Sequence, residues 1–238
     1  KSELVKEELG DILLITVAIA MFFKEKKEAD RSEPSSTEKA ETPKIKETVK
    51  SVVKMGAVWY LGAVYFFYGL SYIIYMVFFA AYLVKEIGLS QEWAGGLWAL
   101  VGGLSIFCGV IWGKISDVLG RSRGAALAYL VLGLSYIIYA LIRVDVGFYL
   151  SAILFGLTAW SIPTIMAAAA GDFVGPRLAP AGLGFITLFF GIGQALGPAL
   201  GGYLADISGS FTMPFLVAGA ISLAGMVMSF YLKKPDSN

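Results

Sequence analysis

Apolar residues in this chain gather in long, nearly unbroken blocks. Six of them, at about 56–84, 91–113, 124–142, 146–170, 181–205 and 212–232, approach or exceed the roughly 20 residues of helix that cross a hydrocarbon core about 30 Å thick. Each predicts a membrane-spanning α-helix. A seventh block, at about 9–23, is shorter and reads as an incomplete or shallow span.

The connections order these blocks. Val84–Ser90 and Arg143–Val146 are of hairpin length, so the helices they join run antiparallel. Lys24–Lys54 is different in kind. It is rich in Lys, Glu, Ser and Thr, carries Pro34 and Pro43, and holds too little apolar surface to fold alone, which predicts a flexible linker whose last turn extends the next helix. The organisation expected is therefore a partial span at 1–23, a cytoplasmic linker at 24–54 and a six-helix domain at 55–238. Ser90 is placed to cap the helix starting at Gln91, with Glu92 near the positive end of its dipole. Pro176 and Pro180 punctuate the turn before 181–205. Pro163 and Pro198 lie inside apolar blocks, where each removes a backbone hydrogen bond and should kink its helix.

Composition mainly excludes. Of 238 residues, 57% are hydrophobic and only 16% charged, against about 25% charged in a soluble domain; mean hydropathy is +0.72. Nine of the 19 basic residues share one linker with acidic ones, which argues against a nucleic-acid partner. With that linker in the cytoplasm and sides alternating thereafter, fifteen of the 19 Lys and Arg fall on the cytoplasmic side. The positive-inside rule then puts the carboxy terminus in the cytoplasm of a cell with the protein in its inner (plasma) membrane. There is no His and one Cys, Cys108, so no internal disulfide and no Cys/His metal cluster can form. Cys108 reads as a small packing residue, and neither metal nor cofactor is expected. The chain begins at Lys1, directly before an apolar segment, and the natural amino terminus is expected to lie upstream.

One stretch carries a motif: Gly113-Lys-Ile-Ser-Asp117-Val-Leu-Gly120-Arg121-Ser-Arg123. It resembles the signature loop of the major facilitator superfamily, G-x-x-x-D-R-x-G-R-K/R, which lies between the second and third helices of each six-helix half. Val118 stands where the pattern has Arg, and Arg123 supplies the last basic residue one position late. Within that superfamily Tyr72–Val84, Gly109–Gly120 and Phe190–Asp206 are similar to bacterial YbfB/YjiJ-type transporters. The resemblance implies an all-α polytopic membrane protein: the six-helix carboxy-terminal half of a major facilitator fold, plus part of a preceding helix. It further implies a secondary active transporter moving a small organic solute by alternating access, with proton coupling left open. Its partners would be the lipid bilayer, the solute and the missing amino-terminal half of the same chain. A receptor or assembly subunit that does not transport is the alternative on the same fold. No enzyme is expected, because no His, metal cluster or mid-span acid/base pair is present.

By the same resemblance Gly113, Asp117, Gly120, Arg121 and Arg123 form a conformational latch, with Asp117 against the positive end of a helix in the other half. The plainer alternative is a solvated helix end with positive-inside arginines. Gly193, Gly197 and Gly201, spaced by four around Pro198, allow close helix approach, as do Gly95, Gly102, Gly109 and Gly113. A sliding surface and static packing both remain open for these stripes.

No Asp, Glu, Lys or Arg occupies the middle of the six spans, so an obvious intramembrane charge site is missing from this half. Tyr65, Tyr68, Tyr72, Tyr75, Phe79 and Tyr82 form one stripe, either packing helices or lining a cavity. Their mid-membrane hydroxyls must face protein or water. The string Gly-Leu-Ser-Tyr-Ile-Ile-Tyr occurs at 69–75 and again at 133–139, through coincidence or repetition. In the family, the first, second, fourth and fifth helices of a half line the central path. That implies Tyr68, Tyr72, Trp98, Trp160, Thr164 and Gln194 as candidate substrate-binding residues.

Overall fold

The computed structural model describes residues 45–232, with side chains from residue 49 onward. The apolar block at 9–23, the linker as far as residue 44, and Lys233 and Lys234 lie outside the described residues. Within them the chain forms helices α1 (Ile45–Val53), α2 (Gly56–Ala81), α3 (Gln91–Leu119), α4 (Arg121–Leu141), α5 (Asp145–Thr158), α6 (Ser161–Val174), α7 (Ala179–Ser208) and α8 (Thr212–Phe230). Six helical segments are long and apolar enough to cross a membrane, α5 and α6 together making one of them. No strand occurs among the described residues.

The end of the linker departs from expectation. Residues 45–53 are a separate amphipathic helix rather than coil, offset from α2 at Lys54 and Met55. Val52 is fully buried, and the indole of Trp59 donates to the Val53 carbonyl at 2.8 Å. Ile45, Val49, Val52 and Val53 recur at helical spacing, a pattern diluted by the surrounding Lys and Glu. At its other end α2 widens into a π-helical turn, Tyr82–Glu86, where the Ile87 N–H reaches back five residues to the Tyr82 carbonyl at 3.1 Å. Gly88, at φ +82°, then turns the chain, and the Ser90 hydroxyl caps α3 by accepting from the Trp93 N–H at 3.1 Å.

The motif stretch is helical, not a loop, for most of its length. α3 runs through Lys114 and Asp117 to Leu119, and Gly120 alone, at φ +86°, separates it from α4. Polar side chains at the water boundary do not end a helix whose backbone bonds are already made, so the apolar block underestimates its length.

The fourth span is interrupted. α5 ends at Thr158 and α6 begins at Ser161. Pro163 has no N–H to offer the carbonyl of Ala159, four residues earlier. The hydroxyl of Tyr68, from α2, donates to that freed carbonyl instead. Nearby, the Trp112 indole donates to the Leu157 carbonyl at 2.8 Å, and the Trp160 N–H donates to the Cys108 sulfur at 3.2 Å. Three side chains from α2 and α3 thus satisfy backbone groups that the break exposes, as hydrocarbon requires. By contrast α7 continues unbroken through Pro198.

α4 is the most enclosed span; α3 and α7 are the least. The most extensive helix pairing is α2 with α7, followed by α4 with α8. A Cβ added at Gly193 would lie 2.6 Å from the Phe66 carbonyl oxygen and 2.8 Å from the Leu70 nitrogen, and at Gly201 2.5 Å from the Phe78 ring. Gly197 would strike Ile73. These glycines and α2 form one close seam, of the kind small residues make between membrane helices.

Candidate functional site

The tyrosine stripe of α2 is interior: all six members are 5% exposed or less. Most of its hydroxyls bind neighbouring helices. Besides Tyr68 at the break, Tyr75 pairs with the Ser151 hydroxyl at 2.7 Å and Tyr82 donates to the Ala140 carbonyl at 3.3 Å. Tyr129 and Tyr139 of α4 return the pattern, donating to the Val64 and Phe79 carbonyls of α2 at 2.5 and 2.9 Å. The two copies of the repeated string meet here through their rings, Tyr75 lying 5.0 Å from both Tyr136 and Tyr139.

Two members of the stripe differ. Tyr65 and Tyr72 have no hydrogen-bond partner for their hydroxyls among the described residues. Tyr72 stacks on Tyr68 at 5.0 Å, approaches Phe155 at 6.1 Å and meets the Trp160 indole at 5.8 Å. Trp160 sits at the break and is 45% exposed although it lies near the middle of its span. The Thr164 hydroxyl, one turn on, donates to the Trp160 carbonyl at 2.9 Å. Tyr68, Tyr72, Trp160 and Thr164 therefore form one cluster around the interruption.

Trp98 and Gln194 stand apart from it. Trp98 joins the aromatic chain through Phe79 at 4.8 Å and Phe155 at 6.4 Å. It also lines a separate cavity of about 400 Å³ with Val84, Lys85 and Gln91, towards the end of the span. Gln194 is partly exposed, without a hydrogen-bond partner among the described residues. One turn before it, Phe190 stacks on Tyr65 at 4.7 Å and on Tyr68 at 5.5 Å, which brings α7 to the edge of the cluster.

At the motif, Arg121 is the centre. Its guanidinium donates to Asp117 at 2.5 Å, to the Ser116 hydroxyl at 2.7 Å and to Asp172, at the end of α6, at 2.8 Å. The Asp117 side chain is 63% exposed and Arg123 is exposed. Gly113 and Gly120 have open space where a Cβ would stand. A cavity of about 530 Å³ beside them is lined by Ser116, Arg121, Arg123, Asp172 and Phe230. Asp172 was missed from the sequence. Its only signal was being a lone carboxylate near the end of an apolar block, 51 residues beyond Arg121. Ser116, Cys108 and Trp112 gave no sequence signal for their roles, because each acts on a group brought close only by tertiary packing.

Helices arranged in this way are those of one half of a major facilitator fold. The described architecture is similar to that of a variant of the E. coli fucose:proton symporter FucP, with a TM-score of 0.64 over 80% of this chain and 46% of that one, at 16% identity. The chain belongs to the major facilitator superfamily: the family described as "Uncharacterised MFS-type transporter YbfB" matches residues 12–229. That family is one of transporters, not enzymes, and the protein is a multi-pass membrane protein. Among curated relatives, it is 33% identical over 142 residues to the tetracycline resistance protein, class H, of Pasteurella multocida, covering 57% of this chain and 33% of that protein. To monocarboxylate transporter 13 of Rattus norvegicus it is 30% identical over 125 residues, 47% of this chain and 29% of that one. The chain thus aligns with about a third of the length of these relatives.

Proposed function

We propose that this domain is the carboxy-terminal half of a secondary active transporter that carries a small organic solute by alternating access, its path running past the break in the fourth span. On this reading the Gly113–Arg123 end and the carboxy terminus face the cytoplasm from the inner (plasma) membrane, and the other half of the full-length chain completes both the path and the Asp117 latch. One observation carries the reading. Tyr72, Trp160 and Gln194 each lie near the middle of a span and each offers a polar group without a partner among the described residues. Left against hydrocarbon, such groups cost free energy; a wet path or a bound solute removes that cost. Relatives named for tetracycline resistance and monocarboxylate transport support the class without choosing the solute.

Vesicles from cells expressing the full-length protein test this, with a panel of labelled small organic solutes and with or without an imposed proton gradient. A transporter accumulates at least one of them; a receptor on the same fold binds and does not accumulate. Gln194→Leu should lower uptake by about tenfold, the loss of one hydrogen bond to the solute, at unchanged membrane expression. Unaltered kinetics would remove Gln194 from the path.

A further inference from the structure

At the end of the domain opposite the Gly113–Arg123 stretch, one carboxylate ties the last turn of α2 to two connections. Glu86, in the π-helical last turn of α2, is 17% exposed. Its Oε1 accepts from Arg143 in the α4–α5 connection at 3.1 Å, from the Ser210 hydroxyl at 2.8 Å and from the Thr212 hydroxyl at 3.4 Å. Its Oε2 accepts from the Phe211 N–H at 2.6 Å, one of the unpaired donors at the start of α8. Arg143 also donates to the Thr212 hydroxyl at 2.6 Å, and the Ser210 hydroxyl accepts from the Thr212 N–H at 3.1 Å, so the ring is closed. The neighbouring Lys85 makes no ion pair among the described residues. The carboxylate is committed to the loops across from it, and both oxygens are occupied.

We propose that Glu86 is a conformational clasp, making the ends of α2, α4, α5, α7 and α8 on this side move as one rigid body during the cycle. The inference rests on the alternating-access reading above. The π-helical turn is part of the device, because one extra residue in the last turn changes the direction of Glu86 relative to a regular helix. α3 alone among the spans ending here carries no bond to Glu86. A charge-assisted network of this kind is lost as a unit when its shared acceptor goes.

The test places spin labels on Cys substituted at Val144, in the clasped α4–α5 connection, and at Ile207, in the last turn of α7, two exposed positions, in the full-length protein in lipid nanodiscs. Cys108 is fully buried and stays unlabelled. With Glu86 intact the pair gives one narrow distance distribution; Glu86→Ala broadens it at least about twofold as the loops come free. An unchanged width in folded Glu86→Ala protein overturns the clasp. If that variant does not fold, Arg143→Ala, which cuts the α4–α5 connection from Glu86 and leaves the Ser210 and Phe211 bonds, must still widen the distribution; no widening there overturns the clasp equally. Solute flux is read separately. A broadened distribution without flux of any solute would sink the transporter reading alone, and intact flux with unchanged width would sink the clasp alone.

Discussion

Gly193, Gly197 and Gly201 of α7 face α2 at a distance that leaves no room for a methyl group, whereas Gly95, Gly102 and Gly113 of α3 have nothing within 4 Å of where a Cβ would stand. Both stripes set glycines along one face of a helix, at intervals of four in α7 and of seven, seven and four in α3. One is a finished seam inside the six-helix domain; the other, apart from Gly109, where a Cβ would lie 3.7 Å from the Thr164 hydroxyl, is a face the described residues leave open. Small-residue spacing therefore reports where a backbone can be approached, not what approaches it. For α7 it is α2, packed closely along Gly193, Gly197 and Gly201. For α3 the partner, if it is protein, comes from outside residues 45–232.

The sharpest way to break this contrast is to add the same methyl group to each stripe. Gly193→Ala should cost about 3 kcal/mol or more, because the new Cβ meets the Phe66 carbonyl and the Leu70 nitrogen, backbone atoms that cannot rotate away. Thermal unfolding in detergent reads this. A melting temperature equal to wild type would show that the seam is looser than described and that α7 slides on α2.

A second bond fixes α2 on its other side. Tyr68→Phe leaves the Ala159 carbonyl buried without a donor, at a cost of about 1–3 kcal/mol. Pro163→Ala restores an N–H four residues after Ala159, so in that background the cost of Tyr68→Phe should shrink by roughly 1 kcal/mol. Strict additivity in this double-mutant cycle would mean that proline and tyrosine do not share the carbonyl.

The motif end is more polar and should be softer. Asp172→Asn removes one of the two carboxylates on Arg121, and both partners are partly exposed, at 23% and 41%. About 0.5–1 kcal/mol is expected, falling as salt is raised. Asp117→Asn should cost less, despite the shorter contact, because that side chain is 63% exposed. A larger loss from Asp117 than from Asp172 in this chain would overturn the ranking.

What could be read from the chain tracks how local its cause is. The six spans follow from block length, and the interruption of the fourth from Pro163, both properties of neighbouring residues. The extension of α3 to Leu119 was hidden because hydropathy marks where a helix leaves lipid, not where it ends. The α1 helix was hidden by the Lys and Glu interspersed among its apolar positions. At the candidate site, four of the six residues meet at the break. The interior position of Tyr68 and Tyr72 reflects the aromatic stripe, but no spacing announces that Tyr68 is occupied by Ala159 while Tyr72 is unpartnered. That difference arises from which backbone groups α5 and α6 leave open. Glu86 and Asp172 were equally invisible, since a carboxylate at a helix end reads as solvated until its partners, 57 and 51 residues away, are placed against it.

The smallest effect belongs to the open stripe, and it is the control that gives the largest its meaning. Gly102→Ala adds a methyl group to a helical backbone that the described residues do not touch. Its stability in detergent should stay within about 0.5 kcal/mol of wild type, the range of substitutions away from packed features. If Gly102→Ala proved as costly as Gly193→Ala, the bare face would be filled in the folded chain, and the contrast between the two stripes would vanish. If it were neutral here and costly only in a longer form of the protein, the α3 stripe would be a seam of the same kind as that of α7, closed by residues outside 45–232.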